Sequence, residues 1–341
     1  MKIIPGFEFL ETKHCVTGSI LHVFRFHRCL ISEEMLFGLG DGIGFIYWQP
    51  KGDLPFMGGR ANTARKDPQD CLEVLAAERC GVRAVRNITA GSRKAEKALL
   101  DHLNADEPLA LQVDMGLLPY FPFFEKYHFG YHLVTAAGYD PQSGEVTLAD
   151  RDAQPYPVQL TQLNAARGST FKPFLPQNAW MEYDFSGFHQ PTDETLIQAM
   201  RKCAEDMLNP PIRSMGIQGI HTACRRILAW PEIMDNKSIS EGSLNLALYV
   251  RADAGTGGGL FRWMYADFLR ECAQRLGKSA LITAADDLQT AGNLWEAIAD
   301  QLEQVHNASD LRDRSAQITA LFNDVAAAEQ SAWSGLIAAI S

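Results

Sequence analysis

Apolar residues recur at helical spacing in several stretches, which the chain's punctuation bounds. Ile20, Leu21, Val23 and Phe24 form one apolar face, which predicts a helix from about Cys15 to Arg28. Ser32 is placed to cap a short helix over Glu33–Phe37. Asp67-Pro68 reads as an N-cap with proline at the first helical position, opening a helix that runs to Cys80 with Gly81 as its stop. Ser92 caps a further helix to about Leu103. Period-two and continuous apolar runs predict strands at Phe45–Trp48, Ala110–Asp114, Tyr131–Asp140 and Glu145–Asp150, the last two closing a hairpin through Pro141-Gln142-Ser143-Gly144. Beyond about Gln177 the pattern turns helical. Thr192 caps a helix to Leu208, which Asn209-Pro210-Pro211 stops, and helical patterns follow over Ile217–Ala229, Leu260–Leu276, Ala280–Val305 and Arg312–Ile340. These elements give an α+β fold class, with a first domain over 1–182 and a mostly α-helical second domain over 183–341.

Two glycine-rich loops interrupt this pattern. Gly38-Leu39-Gly40-Asp41-Gly42-Ile43-Gly44 lacks the strand before it and the Lys-Ser/Thr after it that a nucleotide loop needs. It reads as a tight structural loop, and the close backbone approach that glycine permits also suits Gly40 to lining a substrate cleft. Gly255-Thr256-Gly257-Gly258-Gly259 precedes a helix whose start carries Arg262. That arginine is suited to a substrate carboxylate or phosphate, or else to a structural ion pair.

At 341 residues, with 46% hydrophobic and 21% charged residues, the chain has the composition of a soluble globular protein of about two domains. A net charge of −10 and the lack of any long basic run exclude an ordinary nucleic-acid binder. No signal-peptide core and no apolar run of about 18 residues is present, so no membrane span is expected. The seven cysteines are odd in number, scattered and free of Cys-x-x-Cys pairs, which points to a reduced, cytoplasmic protein without structural zinc. His128 and His132 are four apart, but no glutamate lies between them and Gly130 opposes a helix, so no metal site is expected.

Cys15 carries the sharpest chemical signal. It stands where loop becomes helix, and a helix N-terminus stabilises the thiolate that attacks carbonyl carbon. A cysteine nucleophile needs a base, and the base needs an orienting group. His132 begins one hairpin strand and Asp150 ends the other, which brings them side by side. The order Cys, His, Asp is the papain-like one. Asp140 and Asp152 compete for the orienting role from poorer positions, in the turn and beyond the strand end. His14 competes for the base role, but an immediate neighbour of Cys15 is expected to point away from it.

His14-Cys15-Val16-Thr17, the run Ser32–Gly40, His132-Leu133-Val134, Gly138-Tyr139-Asp140 and Leu148-Ala149-Asp150 together resemble the N-terminal domain of butirosin biosynthesis protein H. The stretch Gly255–Arg262, with Tyr265-Ala266-Asp267-Phe268-Leu269 and Trp295, is similar to the helical domain that commonly follows it. The resemblance implies a papain-like cysteine peptidase/acyltransferase fold. It also implies an acyltransferase that moves an acyl group from the phosphopantetheine thioester of an acyl carrier protein to a small-molecule amine. Cys15 then matches the nucleophile, His132 the base and Asp150 the third member. No cofactor is implied beyond that phosphopantetheine-linked donor, and a homo-oligomer stays open. A cysteine peptidase, amidase or thioesterase of the same fold is the alternative, and a non-catalytic binding module on that scaffold is a third. Papain-like peptidases carry a glutamine shortly before the cysteine as oxyanion donor. Residues 7–12, Phe-Glu-Phe-Leu-Glu-Thr, contain none, which leaves the backbone N–H of Cys15 as one oxyanion donor and Thr17 or His14 as candidates for the second at the substrate.

Overall fold

The computed structural model describes residues 1–50, 53–60, 67 and 69–341. It divides into two compact units that are not two contiguous halves. The first comprises Met1–Leu36 with Asp67–Gln190, and the second Phe37–Lys66 with Pro191–Ser341.

The first unit mixes helices with one antiparallel sheet. Its helices are α1 (Cys15–Phe26), the start of α2 (Glu33–Leu39), α3 (Leu72–Glu78), α4 (Ser92–Asn104) and α5 (Leu160–Arg167). In the numbering of the whole chain, β1 (Ile43–Trp48) and β2 (Phe56–Arg60) belong to the second unit. The sheet of the first unit contains β3 (Arg83–Asn87), β4 (Leu109–Val113), β5 (His132–Asp140), β6 (Glu145–Ala149), β7 (Pro155–Gln159) and β8 (Trp180–Asp184). Its six strands run in the order β3-β8-β4-β5-β6-β7. Every residue of β4 is buried, so this strand is covered on both faces. Leu99 and Leu103 of α4 and Leu163 of α5 join Leu111, Val134 and Leu148 in a core that excludes water from the sheet. The β5–β6 hairpin pairs Thr135 with Ala149 and Asp140 with Glu145, with a bulge between Ala136 and Gly138. Thr135 Oγ1 donates to the Ser19 carbonyl at 2.9 Å, which pins β5 to α1.

The second unit is helical around a small hairpin. Its helices are α6 (Asp193–Leu208), α7 (Gly216–Leu228), α8 (Trp230–Ile233), α9 (Asn236–Val250), α10 (Arg262–Leu276), α11 (Ala280–Glu303) and α12 (Ala308–Ile340). Thr192 caps α6 as its sequence predicts, its Oγ1 accepting the Thr195 N–H at 3.2 Å. The β1–β2 hairpin packs among these helices: Tyr47 N–H donates to the Ser214 carbonyl at 2.9 Å, and Phe45 stacks on Trp295. Backbone pairing of β1 with the 214–215 segment makes residues 37–66 part of the second unit, a partnership between positions far apart in sequence.

Two sequence expectations need correction here. The helix expected from Asp67-Pro68 begins only at Leu72, with Cys71 as N-cap; Asp67 instead closes a turn by accepting from the Gln69 N–H at 2.9 Å. Pro68 lies outside the described residues. Arg262 is not available to a substrate. Its guanidinium is fully buried, with Nε 2.8 Å from Glu329 Oε1, Nη2 3.0 Å from Oε2 and Nη1 2.8 Å from the Leu260 carbonyl. Trp295 and Trp333 donate to the same carboxylate at 2.9 and 3.2 Å, so Arg262 belongs to a closed structural network. Gly40 also lies in this unit, buried in the turn between α2 and β1. The N–H of Gly259, at the approach to α10, is already taken by Glu296 at 2.7 Å, so a carboxylate of the chain sits where an anion would bind.

Among the described residues no helix is long and apolar enough to cross a membrane, and no group of three or more His, Cys, Asp or Glu is arranged to hold a metal ion.

Candidate active site

Cys15 is the first residue of α1, and His14, in extended conformation, is its N-cap. The rest of the first helical turn is buried, while Cys15 remains partly exposed. The segment that leads into it is held by hydrogen bonds from Thr12 and Leu10. Thr12 N–H donates to the carbonyl of Arg151 at 2.6 Å, which ties the approach to Cys15 to the residue after Asp150. Leu10 N–H donates to His22 Nε2 at 3.1 Å, and His22 Nδ1 bonds the Gly18 carbonyl at 2.8 Å. Gly18 itself makes room for the segment: a Cβ there would lie 2.8 Å from the Cβ of Thr12.

On the sheet side, His132 Nε2 lies 2.8 Å from Asp150 Oδ2, with both side chains buried. Asp150 also accepts from the Tyr120 hydroxyl at 2.8 Å and, through Oδ1, from the Arg151 N–H at 2.9 Å. Three donors on one carboxylate favour its ionised form. Nε2–H is thereby committed to Asp150, and Nδ1 is the nitrogen left for the Cys15 thiol, to which His132 is also hydrogen-bonded. Phe121 packs edge-on against the imidazole, ring centroids 5.4 Å apart.

The electrostatics follow from this geometry. Burial alone would raise the Cys15 pKa, but the charges and hydrogen bonds of His132, and then of His14, hold it well below the ordinary thiol value. Burial likewise opposes a charged His132, yet Asp150 on one side and the Cys15 sulfur on the other raise its pKa to about 10. Burial acts to raise Asp150, and the His132 charge and hydrogen bond with the Tyr120 hydroxyl bring it below the usual carboxylate value. These shifts favour a charged Cys15–His132 pair beside an ionised Asp150.

The structure brings together Cys15, His132, Asp150, His14 and Thr17. It separates the rival carboxylates: Asp140 accepts from Gln142 N–H in the hairpin turn, and Asp152 is bonded by the Tyr156 hydroxyl. The expectation that His14 points away from Cys15 is overturned, since its ring is hydrogen-bonded to the thiol. The cause is local. His14 Nδ1 lies 3.1 Å from Thr17 Oγ1, one helical turn on, and this folds the ring back over the helix start.

Sequence reasoning missed Glu33 and Tyr120. Glu33 is buried at the beginning of α2, and its carboxylate accepts from Lys13 N–H, His14 N–H and Thr17 Oγ1–H, each at 2.8 Å. Burial pushes its pKa up against these three donors. Two of its partners are backbone groups, which leave no side-chain signature in the sequence. Tyr120 sits within an aromatic run that core packing accounts for equally well.

Two family models match the chain in tandem. The model described as Butirosin biosynthesis protein H, N-terminal, covers residues 14–151, and that described as Domain of unknown function (DUF4872) covers residues 161–336. The chain belongs to the butirosin biosynthesis protein H-like family that these two domains define in that order. The first match begins at His14 and ends just past Asp150, so it spans the whole cluster described above. No curated protein matches the sequence.

Proposed function

We propose that the protein is a cysteine-dependent acyltransferase of papain-like fold, acting in the biosynthesis of a specialised metabolite. The observation that carries this reading is the His132 imidazole held between the Asp150 carboxylate and the Cys15 thiol. A cysteine at a helix start, packed against an antiparallel strand that carries the histidine, supports the papain-like assignment. Membership of a family named for a biosynthesis protein supports the biosynthetic role.

In this reading His132 Nδ1 takes the Cys15 proton. The thiolate attacks the carbonyl carbon of a thioester presented on the phosphopantetheine arm of an acyl carrier protein. The donor's C–S bond breaks, the departing thiol takes the proton from His132, and the acyl group stays on Cys15. A small-molecule amine then attacks this acyl-enzyme and gives a proton to His132. The amide leaves, and Cys15 recovers its proton. Asp150 holds the imidazole in the required tautomer and offsets its charge during both steps. The helical unit is assigned to carrier-protein docking or acceptor recognition, and the protein to the cytoplasm.

The test is intact-mass detection of an acyl adduct after mixing with an acyl-thioester, followed by trapping with amines or with water alone. An adduct on the wild type that Cys15→Ala abolishes, and that amines discharge faster than water, supports transfer. Discharge by water at an equal rate assigns the protein to the hydrolases. Product formation by Cys15→Ala at the normal rate refutes the reading.

A further inference from the structure

Beside Cys15 stands a second imidazole that the Cys15–His132–Asp150 mechanism leaves without a task. Its surroundings fix its hydrogens. Thr17 has a single hydroxyl hydrogen and three candidate partners, Glu33 Oε1 at 2.8 Å, His14 Nδ1 at 3.1 Å and, at the limit of hydrogen-bond distance, the His14 carbonyl at 3.5 Å. The other two partners of Glu33 are backbone N–H groups, which only donate, so the carboxylate is surrounded by donors. An ionised carboxylate only accepts. The hydroxyl hydrogen therefore goes to Glu33, and a hydroxyl lone pair receives Nδ1–H of His14. With Nδ1 committed, Nε2 is the nitrogen left to face Cys15.

We propose that His14 is the second oxyanion donor of this site, and that Thr17 and Glu33 are the positioning residues that aim it. The inference rests on the reading of Cys15 as an acyl-accepting nucleophile. His14 acts on Cys15 through a side-chain hydrogen bond and through its charge, both of which lower the thiol pKa, and as the imidazolium it carries hydrogen on both nitrogens. When the thiolate attacks, the sulfur–carbon bond forms and the carbonyl π pair moves onto oxygen. The negative charge thus passes from sulfur to oxygen, and Nε2–H of His14 follows it without transferring its proton. On collapse the pair returns to the carbonyl, the bond to the leaving group breaks, and that group takes its proton from His132. His14 so fills the place of the glutamine that residues 7–12 lack. Thr17 is not itself a donor to substrate, because its only hydrogen is spent on Glu33.

The experiment exploits a difference between two reactions of one sulfur. Acylation by p-nitrophenyl acetate builds an oxyanion; alkylation by iodoacetamide does not. Both are followed on Cys15 by mass, at a pH where the thiolate is fully formed. His14→Ala should slow acylation about 100-fold and alkylation by well under tenfold. Thr17→Val should slow acylation about tenfold, the worth of one hydrogen bond to a charged group, and Thr17→Ser should restore it. This pair decides the matter if His14→Ala does not fold. Equal losses in both reactions, or no loss in acylation, overturn the role of His14 while leaving Cys15 as nucleophile. A wild type that alkylates at Cys15 but is never acylated there overturns the nucleophile reading itself, and the His14 proposal with it.

Discussion

The buried Arg262–Glu329 pair offers a quantitative test of what that arginine does. In Arg262→Met the carboxylate of Glu329 keeps two indole N–H donors but loses the counter-charge of Arg262, in a place with no access to water. Removing one partner of a buried, hydrogen-bonded pair costs about 3–5 kcal/mol. Because both side chains are fully buried, solvent screening gives no relief. In a domain of 150–250 residues each kcal/mol moves the melting temperature by roughly 2–4 °C, so a fall of roughly 10 °C is expected. Thermal unfolding followed by far-UV circular dichroism, which this helix-rich unit dominates, measures it. The double variant Arg262→Met/Glu329→Gln removes the stranded charge while keeping an acceptor for an indole, and it should regain part of the loss. A fall of under about 2 °C for the single variant, or a double variant less stable than the single one, would refute the argument. A substrate-binding arginine predicts the reverse pattern, near-normal melting with impaired use of the acceptor.

Three further outcomes are expected. Asp150→Asn keeps the shape of the carboxylate but not its charge, and should slow acylation of Cys15 about a hundredfold or more in single-turnover assays. The pH profile of iodoacetamide alkylation should stay high well below the ordinary thiol value of 9.0, because the Cys15 pKa is depressed; in His132→Ala its acid limb should move up toward that value. His22 is buried and neutral, its pKa lowered from 6.5 to about 4 chiefly by burial. An imidazole depressed in the folded state contributes stability that is complete above the unfolded value and lost as pH falls toward the folded one. The drop corresponds to about 3 kcal/mol lost between pH 6.5 and 4, and denaturant titrations of the wild type and His22→Gln across that window should diverge accordingly.

Sequence patterning carried the long elements and the hairpin well. The amphipathic period of α1, the Thr192 cap of α6 and the hairpin turn at 141–144 are local signals, and each appears at or within a few residues of its expected place. Elements that escaped include strands with distant support and a helix with weak local propensity. β3 and β8 are short strands that carry charged residues and pair across the sheet from remote parts of the chain. α9 opens with Asn, Ser and Gly positions of modest helix propensity behind its Asp235 cap. The ion pair of Arg262 depends on a glutamate two helices later, which no spacing rule could nominate. At the site, Cys15, His132 and Asp150 could be nominated because each pairs with another side chain, whereas Glu33 acts mainly on backbone amides and left no pattern to find.

Gly18 has a larger influence than its size suggests. It is the missing methyl on α1 that lets Thr12 lie against the helix, and Thr12 in turn grips Arg151 beside Asp150. One bare α-carbon thereby acts as a spacer gauge for sulfur and carboxylate alike. Gly18→Ala would thicken that gauge, pushing the two halves of the proton pathway apart while leaving every reactive atom chemically intact.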